Sequence, residues 1–472
     1  MKYHFEGCDL RYELELMCCH FFPGEKPVTE DDGKGLIKVE RRPSSYAVAI
    51  SKNGVCAFAE CGFENFSDRL SQKRAESRAF KTAFYEAASK VTDISVPWGT
   101  LTGIRPSKPI KKLLYNNSPE VTLSILERDY FTEPKKAALG IETALWSIKA
   151  EKEKRQNGVS IYVGIPFCPT RCAYCSFVSQ SIASAGALLP AYLQKLCEEI
   201  ALRGETVKEL SLSPETLYIG GGTPAVLSAS EITRLFSTLD GAFSLDSFRE
   251  ITFEAGRPDC ITEEKLRALY EFGGDIRLSI NPQSLDDEVL KLAGRPHGKA
   301  EYFKALETAR NVGFTNINSD VIAGLSGDSL SGFEKTLSGL IDLDLPSITV
   351  HALSLKRAAY GKSFGVEANE AAKMVDRASE LLTKAGYKPY YLYRQRNTTG
   401  NLENVGWAKK GGECLYNVYM MEDVETVIAC GAGSVSKLKN GAVTKRVANY
   451  KFPHEYLANP LTKKEIFINV LS

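Results

Sequence analysis

IYVGIPFCPTRCAYCSF, Ile161 to Phe177, is the stretch on which the reading of this chain turns. Its first part is an apolar run that reads as a buried strand, and its second part carries Cys168, Cys172 and Cys175 in a CxxxCxxC spacing. Thiolates packed that closely on one short loop can cup a single inorganic centre. Three ligands on a four-iron cube leave the fourth iron without a protein donor, and an open iron can bind a small molecule and pass it an electron. That layout belongs to a reaction site rather than to an electron relay. A structural zinc site is the alternative. It wants four closed ligands, and the nearest further cysteines, Cys197 and Cys260, sit on different predicted elements. A disulfide within the trio needs an oxidising compartment.

Outward from this stretch, apolar runs alternate with helical periodicity. The expected strands are IYVGIP, TLYIGGG (216–222), EITFEAG (250–256), DIRLSI (275–280), NINSDVIAG (316–324) and SITVHAL (347–353). Amphipathic stretches separate them, at 188–202, 230–239, 262–272, 300–312 and 330–341. Serial βα units imply parallel strands, and six units imply a barrel that does not close. The fold class is therefore α/β, a partial (β/α)6 barrel over 156–359. After about Tyr360 the pattern loosens into a helix from Asn369 to Ala385 and an aromatic- and Arg-rich tract. Residues 360–472 are expected to form a C-terminal extension covering the barrel mouth.

Upstream, residues 1–155 read as a separate α+β domain. RYELELMC, GLIKVERR, SYAVAISK and GVCAFAEC look short and hairpin-like, with Asn53-Gly54 marking one turn. A long amphipathic pattern, Ser67 to Lys90, then places Phe80, Ala83, Phe84 and Ala87 on one helix face. PWGTLTGIRPSKPIKKLL is an interrupted connector to further helices, the last running through Ala137 to Lys154.

A net charge of +1 with no basic block leaves no electrostatic footprint for nucleic acid or an anionic membrane. The charged amino terminus does not read as a signal peptide, and no run reaches spanning length, so a cytoplasmic protein is expected. In that setting Cys18, Cys19, Cys56, Cys61, Cys197 and Cys430 read as buried small hydrophobes.

In a parallel barrel, polar residues at the C-terminal ends of strands converge on one opening. Gly221, Gly222 and Thr223 close the second strand and allow close backbone approach to a ligand, although glycines there are also common in plain turns. Glu254 sits in an otherwise buried segment and needs a donor, from a ligand or from a structural ion pair. Gln283 and Arg295 follow the fourth strand; Arg295 suits a carboxylate, or simply the surface. Asp320 reads as an inward carboxylate suited to hydroxyls. Tyr162 and Tyr174 offer polar-tipped rings. His351, at the end of the sixth strand, faces either the cavity or a satisfied core. Lys356, Arg357, Arg394 and Arg396 are candidate cations near the mouth.

The CxxxCxxC after a strand resembles the radical S-adenosylmethionine (SAM) superfamily. GIPFCPTRCAYCSF narrows the resemblance to the oxygen-independent coproporphyrinogen III oxidases and their haem-chaperone relatives, over about Ser160 to Ser436 with its GAGS turn, Gly431 to Ser434. The resemblance implies a [4Fe-4S] cluster on Cys168, Cys172 and Cys175. It implies SAM, one or two molecules, surrounded by Tyr162, Tyr174, Gly221, Gly222, Thr223, Glu254, Gln283, Arg295 and Asp320. It further implies a tetrapyrrole substrate, an electron donor such as a flavodoxin or ferredoxin, and a monomer. Two departures stand out. Phe177 occupies the position where the best-known oxidases carry a further cysteine, as in the chaperone-like branch. At Tyr416 to Met420 the His and Trp of the chaperones' haem motif are missing. The N-terminal domain resembles the Firmicute-type branch of the oxidases.

Overall fold

In a computed structural model the chain is described over residues 1–30, 33–94, 96–175, 177–354, 365–395, 401–441 and 443–471. Its backbone separates into two compact units, Met1–Glu142 and Thr143–Ser472.

The first unit holds a four-stranded sheet in the order β1 (Lys2–Glu6), β2 (Leu36–Arg41), β3 (Ser45–Lys52) and β4 (Val55–Gly62). β1 runs parallel to β2, and the other pairs are antiparallel. Asn53 and Gly54, both at positive φ, make the β3–β4 turn expected of that dipeptide. The Ser67–Lys90 pattern becomes a helix over Arg69–Ala88 that buries Phe80, Ala83, Phe84 and Ala87. RYELELMC is not a strand: Arg11–Phe21 is a helix, and β1 lies before it. Its buried residues, Leu14, Met17, Cys18 and Phe21, fall at i, i+3, i+4 and i+7, and this spacing prevails over the local alternation.

The second unit is built on an eleven-stranded sheet. Its centre is the six expected strands: β5 (Gly158–Ile165), β8 (Ser213–Gly221), β9 (Glu250–Gly256), β10 (Arg277–Ile280), β11 (Ile317–Ala323) and β12 (Ser347–Ala352). The short pieces β6 (Phe167–Cys168) and β7 (Gln180–Ser181) pair with each other between β5 and β8. The six long strands are parallel and adjacent in chain order. Helices Leu189–Glu209, Ala229–Phe243, Glu263–Tyr270, Lys299–Val312 and Leu330–Asp342 alternate with them. The sheet runs between two free edges, so the barrel is open.

Residues after Tyr360 contribute strands to this sheet at both ends. β13 (Lys388–Arg394) and β14 (Glu403–Ala408) continue it antiparallel beyond β12. β15 (Thr426–Cys430) lies parallel beside β5, and β16 (Val435–Asn440) and β17 (Val443–Ala448) follow it. A seventh parallel strand thus comes from the far end of the chain.

The two faces of the central strands differ. Ile161, Val163, Leu217, Ile219, Phe253 and Leu278 are fully or almost fully buried, and Phe253 meets Phe236 of the helix Ala229–Phe243 at 6.1 Å. The opposite face carries Tyr162, Tyr218, Glu254, Ser279, Asp320 and His351, set side by side by the register. A polar, aromatic face inside a covered sheet marks where ligand chemistry can occur.

Candidate functional site

The three cysteines lie on the loop that leaves β5. Pairing of β6 with β7 and a hydrogen bond from Gln180 N–H to Pro166 O (3.0 Å) close the loop at its base. Cys175 N–H donates to Cys172 O (3.1 Å), folding the second half into a turn, and Ala173 N–H reaches Ala293 O (3.0 Å). All three thiols are free and half-buried. Burial pushes the Cys175 thiol above its ordinary value.

Gly221, the last residue of β8, and Gly222 after it press against this loop. Gly221 has φ +109°, and a Cβ on Gly222 would stand 2.4 Å from Phe167 O and 2.9 Å from Cys168 Sγ. Thr223 N–H donates to Phe167 O (2.7 Å), and its hydroxyl lies 3.5 Å from Cys168 Sγ. The glycine turn and the first cysteine therefore form one packed unit.

Beside them, Tyr162, Tyr218 and Tyr416 stack: Tyr218 and Tyr416 are 4.4 Å apart at 24°, and Tyr162 lies 6.3 Å and 6.1 Å from them. Tyr218 donates its hydroxyl to Glu254, whose other oxygen is 3.4 Å from Asn281 Nδ2. Burial and the nearby Asp320 charge raise the Glu254 carboxyl above its ordinary value. Asp320 Oδ1 accepts from Asn318 Nδ2 (2.8 Å), and its Oδ2 is 3.6 Å from His351 Nε2. Burial opposes ionisation of both partners, but their hydrogen bond and mutual charge prevail, lowering Asp320 and raising His351. His351 Nδ1 in turn is 3.4 Å from the Tyr393 hydroxyl. The histidine thus faces the polar interior, beside the Asp320 carboxylate.

Gln283 has φ +70°, with its backbone bonded on both sides to β11 through Asp320 O and Ile322 N–H (each 3.0 Å). Its side-chain Oε1 is buried without a hydrogen-bond donor. An orphaned buried acceptor costs on the order of 1–3 kcal/mol, and an amine or hydroxyl of a bound ligand would offset that cost.

Arg295 is engaged within the protein. It donates to the Tyr174 hydroxyl (2.7 Å), Asn281 O (2.7 Å) and His297 Nε2 (3.1 Å). The Tyr174 ring packs on the apolar cluster of Val289, Ala293, Ile322, Leu325 and Leu353. Arg394 does not stand free at a mouth: it is 5% exposed and donates to Asn401 O (3.0 Å). Lys356, Arg357 and Arg396 lie outside the described residues.

The fold thus gathers Cys168, Gly221, Gly222 and Thr223 at one edge, Tyr162, Glu254 and Asp320 on the inner face, Gln283 in the turn after β10 bonded to β11, and Tyr174 with Arg295 at the far side of the loop. Tyr218, Asn281 and Tyr416 escaped sequence reasoning. Tyr218 was accessible, since it alternates in phase with Gly220 and its direct partner across the strands is Tyr162. Among the described residues, no group of three or more His, Cys, Asp or Glu side chains is arranged to hold a metal ion as it stands. The donor set nonetheless suits an iron–sulfur centre with an open position: three thiols on one loop, no fourth ligand, and a glycine edge without side chains against Cys168.

An open parallel sheet with a three-thiol loop after its first strand defines the radical SAM class, and the family model described as the Radical SAM superfamily matches residues 162–340. The oxygen-independent coproporphyrinogen-III oxidase-like protein HemZ of Bacillus subtilis (strain 168) is 40% identical over 408 residues, 83% of this chain and 81% of its own. This chain belongs to that family of oxygen-independent coproporphyrinogen-III oxidase-like radical SAM proteins. The heme chaperone HemW of Lactococcus lactis is more distant, 28% identical over 67% of this chain and 78% of its own. Among solved structures, the coproporphyrinogen III oxidase HemN of Escherichia coli shares the fold, with a TM-score of 0.50 at 23% identity, over 67% of this chain and 71% of that one. No helix among the described residues is long and apolar enough to cross a membrane.

Proposed function

We propose that the protein carries out the SAM-dependent oxidative decarboxylation of coproporphyrinogen III propionates to vinyl groups. The observation that carries this reading is the inner face itself: Tyr162, Glu254 and Asp320 share one face of the sheet whose first strand leads into a three-thiol loop, in a chain 40% identical to a coproporphyrinogen-III oxidase-like protein. Bound there, a [4Fe-4S] cluster and SAM would supply one-electron and hydrogen-abstracting chemistry. Overall, each propionate would give up a hydrogen atom, CO2 and one further electron to an acceptor to become a vinyl group.

Cys168, Cys172 and Cys175 are the residues that would hold the cluster. Glu254, whose Tyr218 and Asn281 partners fix its two oxygens, and Asp320, fixed by Asn318 and His351, would take SAM's amine and ribose hydroxyls. The unpartnered Gln283 Oε1 would accept from a further donor of the ligand. Gly221, Gly222 and Thr223 pack against the cysteine loop and would set the position of Cys168, and Tyr174 and Arg295 would bound the other side. The stacked tyrosines would exclude water from the reaction space.

Phe177 in place of a cysteine favours a second reading, a haem-binding chaperone on the same barrel. Anaerobic incubation with SAM, reductant and coproporphyrinogen III separates the two. Formation of the mono- and divinyl products supports the oxidase; tight haem binding with no vinyl product overturns it.

A further inference from the structure

Two buried arginines flank the cysteine loop, and a continuous set of side chains joins them. Arg257, in the turn after β9, is 3% exposed and donates to the Thr170 hydroxyl (2.7 Å), midway between Cys168 and Cys172. The same guanidinium makes a two-point pair with Asp259, Nε to Oδ1 at 2.9 Å and Nη2 to Oδ2 at 2.6 Å. Asp259 Oδ1 lies 3.4 Å from His297 Nδ1, and His297 Nε2 accepts from Arg295 Nε (3.1 Å). Arg295 closes the path on the Tyr174 hydroxyl (2.7 Å), between Cys172 and Cys175. Thr170 and Tyr174 are thus tied to one rigid bracket that starts after β9 and ends after β10.

The protonation pattern is self-consistent. A guanidinium can only donate, so His297 Nε2 must be unprotonated and its proton must sit on Nδ1, facing Asp259. Burial opposes ionisation of Asp259, but the adjacent His297 ring and the two hydrogen bonds from Arg257 outweigh it and hold this carboxylate well below the usual range. Arg257, His297 and Arg295 are buried, at 3%, 3% and 6% exposure, while Asp259 and Thr170 reach the surface, so the middle of the path is shielded from competing water and its loop end is not.

We propose that Arg257, Asp259 and His297 are positioning residues that hold the CxxxCxxC loop in ligating shape through Thr170 and Tyr174, so that the loop captures and retains its iron–sulfur cluster. This rests on the cluster reading above. It also gives that reading a physical cause: the thiols do not form a finished metal site on their own, so the bound centre must draw them together, and a loop fixed at two points between its ligands loses less freedom in doing so.

The test uses the full chain, reconstituted anaerobically with iron and sulfide. Arg257→Gln, His297→Gln and Thr170→Val are compared with the parent for iron per chain, for the rate of iron loss to a chelator, and for the electron paramagnetic resonance spectrum of the reduced cluster. Thermal unfolding of the metal-free chains serves as control. Thr170→Val alters only the exposed loop end of the bracket, so a failure of Arg257→Gln to fold leaves the proposal testable.

The expected result is iron loss about tenfold faster in each single variant, a change on the order of 1.4 kcal/mol. Arg257→Gln combined with His297→Gln should be no worse than the more severe single change, because both cut one path. A Thr170→Val chain that keeps its iron as the parent does would overturn the proposal, as would single effects that add. A parent chain that takes up no iron is a different failure, since it removes the cluster reading itself.

Discussion

Glu425 is a carboxylate that the fold has turned into a weak acid. It is 4% exposed, and burial together with the neighbouring Glu215 raises it from 4.5 to about 7, against the hydrogen bond it receives from Ser160. Lys154 and Arg249 also face it and only partly compensate. Since the folded value lies above the unfolded one, the native state binds the extra proton. Its stabilisation is full below about pH 4.5 and is lost as pH rises through about 7. Glu425→Gln should therefore match the parent in acid and exceed it at pH 8 by up to about 3 kcal/mol, read from denaturant midpoints at both pH values. Equal pH dependence in the two proteins would refute the assignment. Gly222 sets the opposite kind of limit. With Phe167 O at 2.4 Å from a new Cβ, Gly222→Ala must push the turn off the cysteine loop. The expected outcome is loss of SAM cleavage, at least a hundredfold in rate, with the metal-free chain still folded by circular dichroism. At this scale the cysteines, glycines and carboxylates were legible because their chemistry is local. Tyr416 was not, because it reaches Tyr218 across nearly two hundred residues of chain.

The helix Leu415–Glu422 shows how an element depends on a distant one. Its N-cap, Cys414, supplies no side-chain cap, and Glu250 of β9 does the work instead. The carboxylate accepts from Leu415 N–H (2.6 Å), Tyr416 N–H (3.1 Å) and Cys414 Sγ (3.3 Å). Glu250→Ala orphans two buried donors and should cost about 3 kcal/mol by urea denaturation. A loss below about 0.5 kcal/mol would show that the helix finds another cap. Element types were mostly readable where the period was long and clean, as in the helix Arg69–Ala88 and the six parallel strands. RYELELMC misled because eight residues satisfy both alternation and a helical stripe, and only burial of Phe21 on the same face as Leu14 decides between them.

Across the whole second unit, the sheet is completed by its last strands. β5 carries the cysteine loop, is buried along its length, and on one side pairs only with β15. A chain ended after residue 410 would lose β15 to β17 and present β5 as an open apolar edge. Such a chain should aggregate on size-exclusion chromatography, whereas a monodisperse product would mean that β5 needs no cover. The six βα units and the CxxxCxxC loop were written in the sequence, since hydrophobic period and ligand spacing act over a few residues at a time. Only the tertiary structure decided that β15 lies beside β5, that Arg295 turns to Tyr174 and His297, and that three tyrosines stack with one of them, Tyr218, bonded to Glu254. Strand partners and hydrogen-bond partners are chosen by competition among surfaces far apart in the chain, and that competition is resolved only when the chain closes on itself.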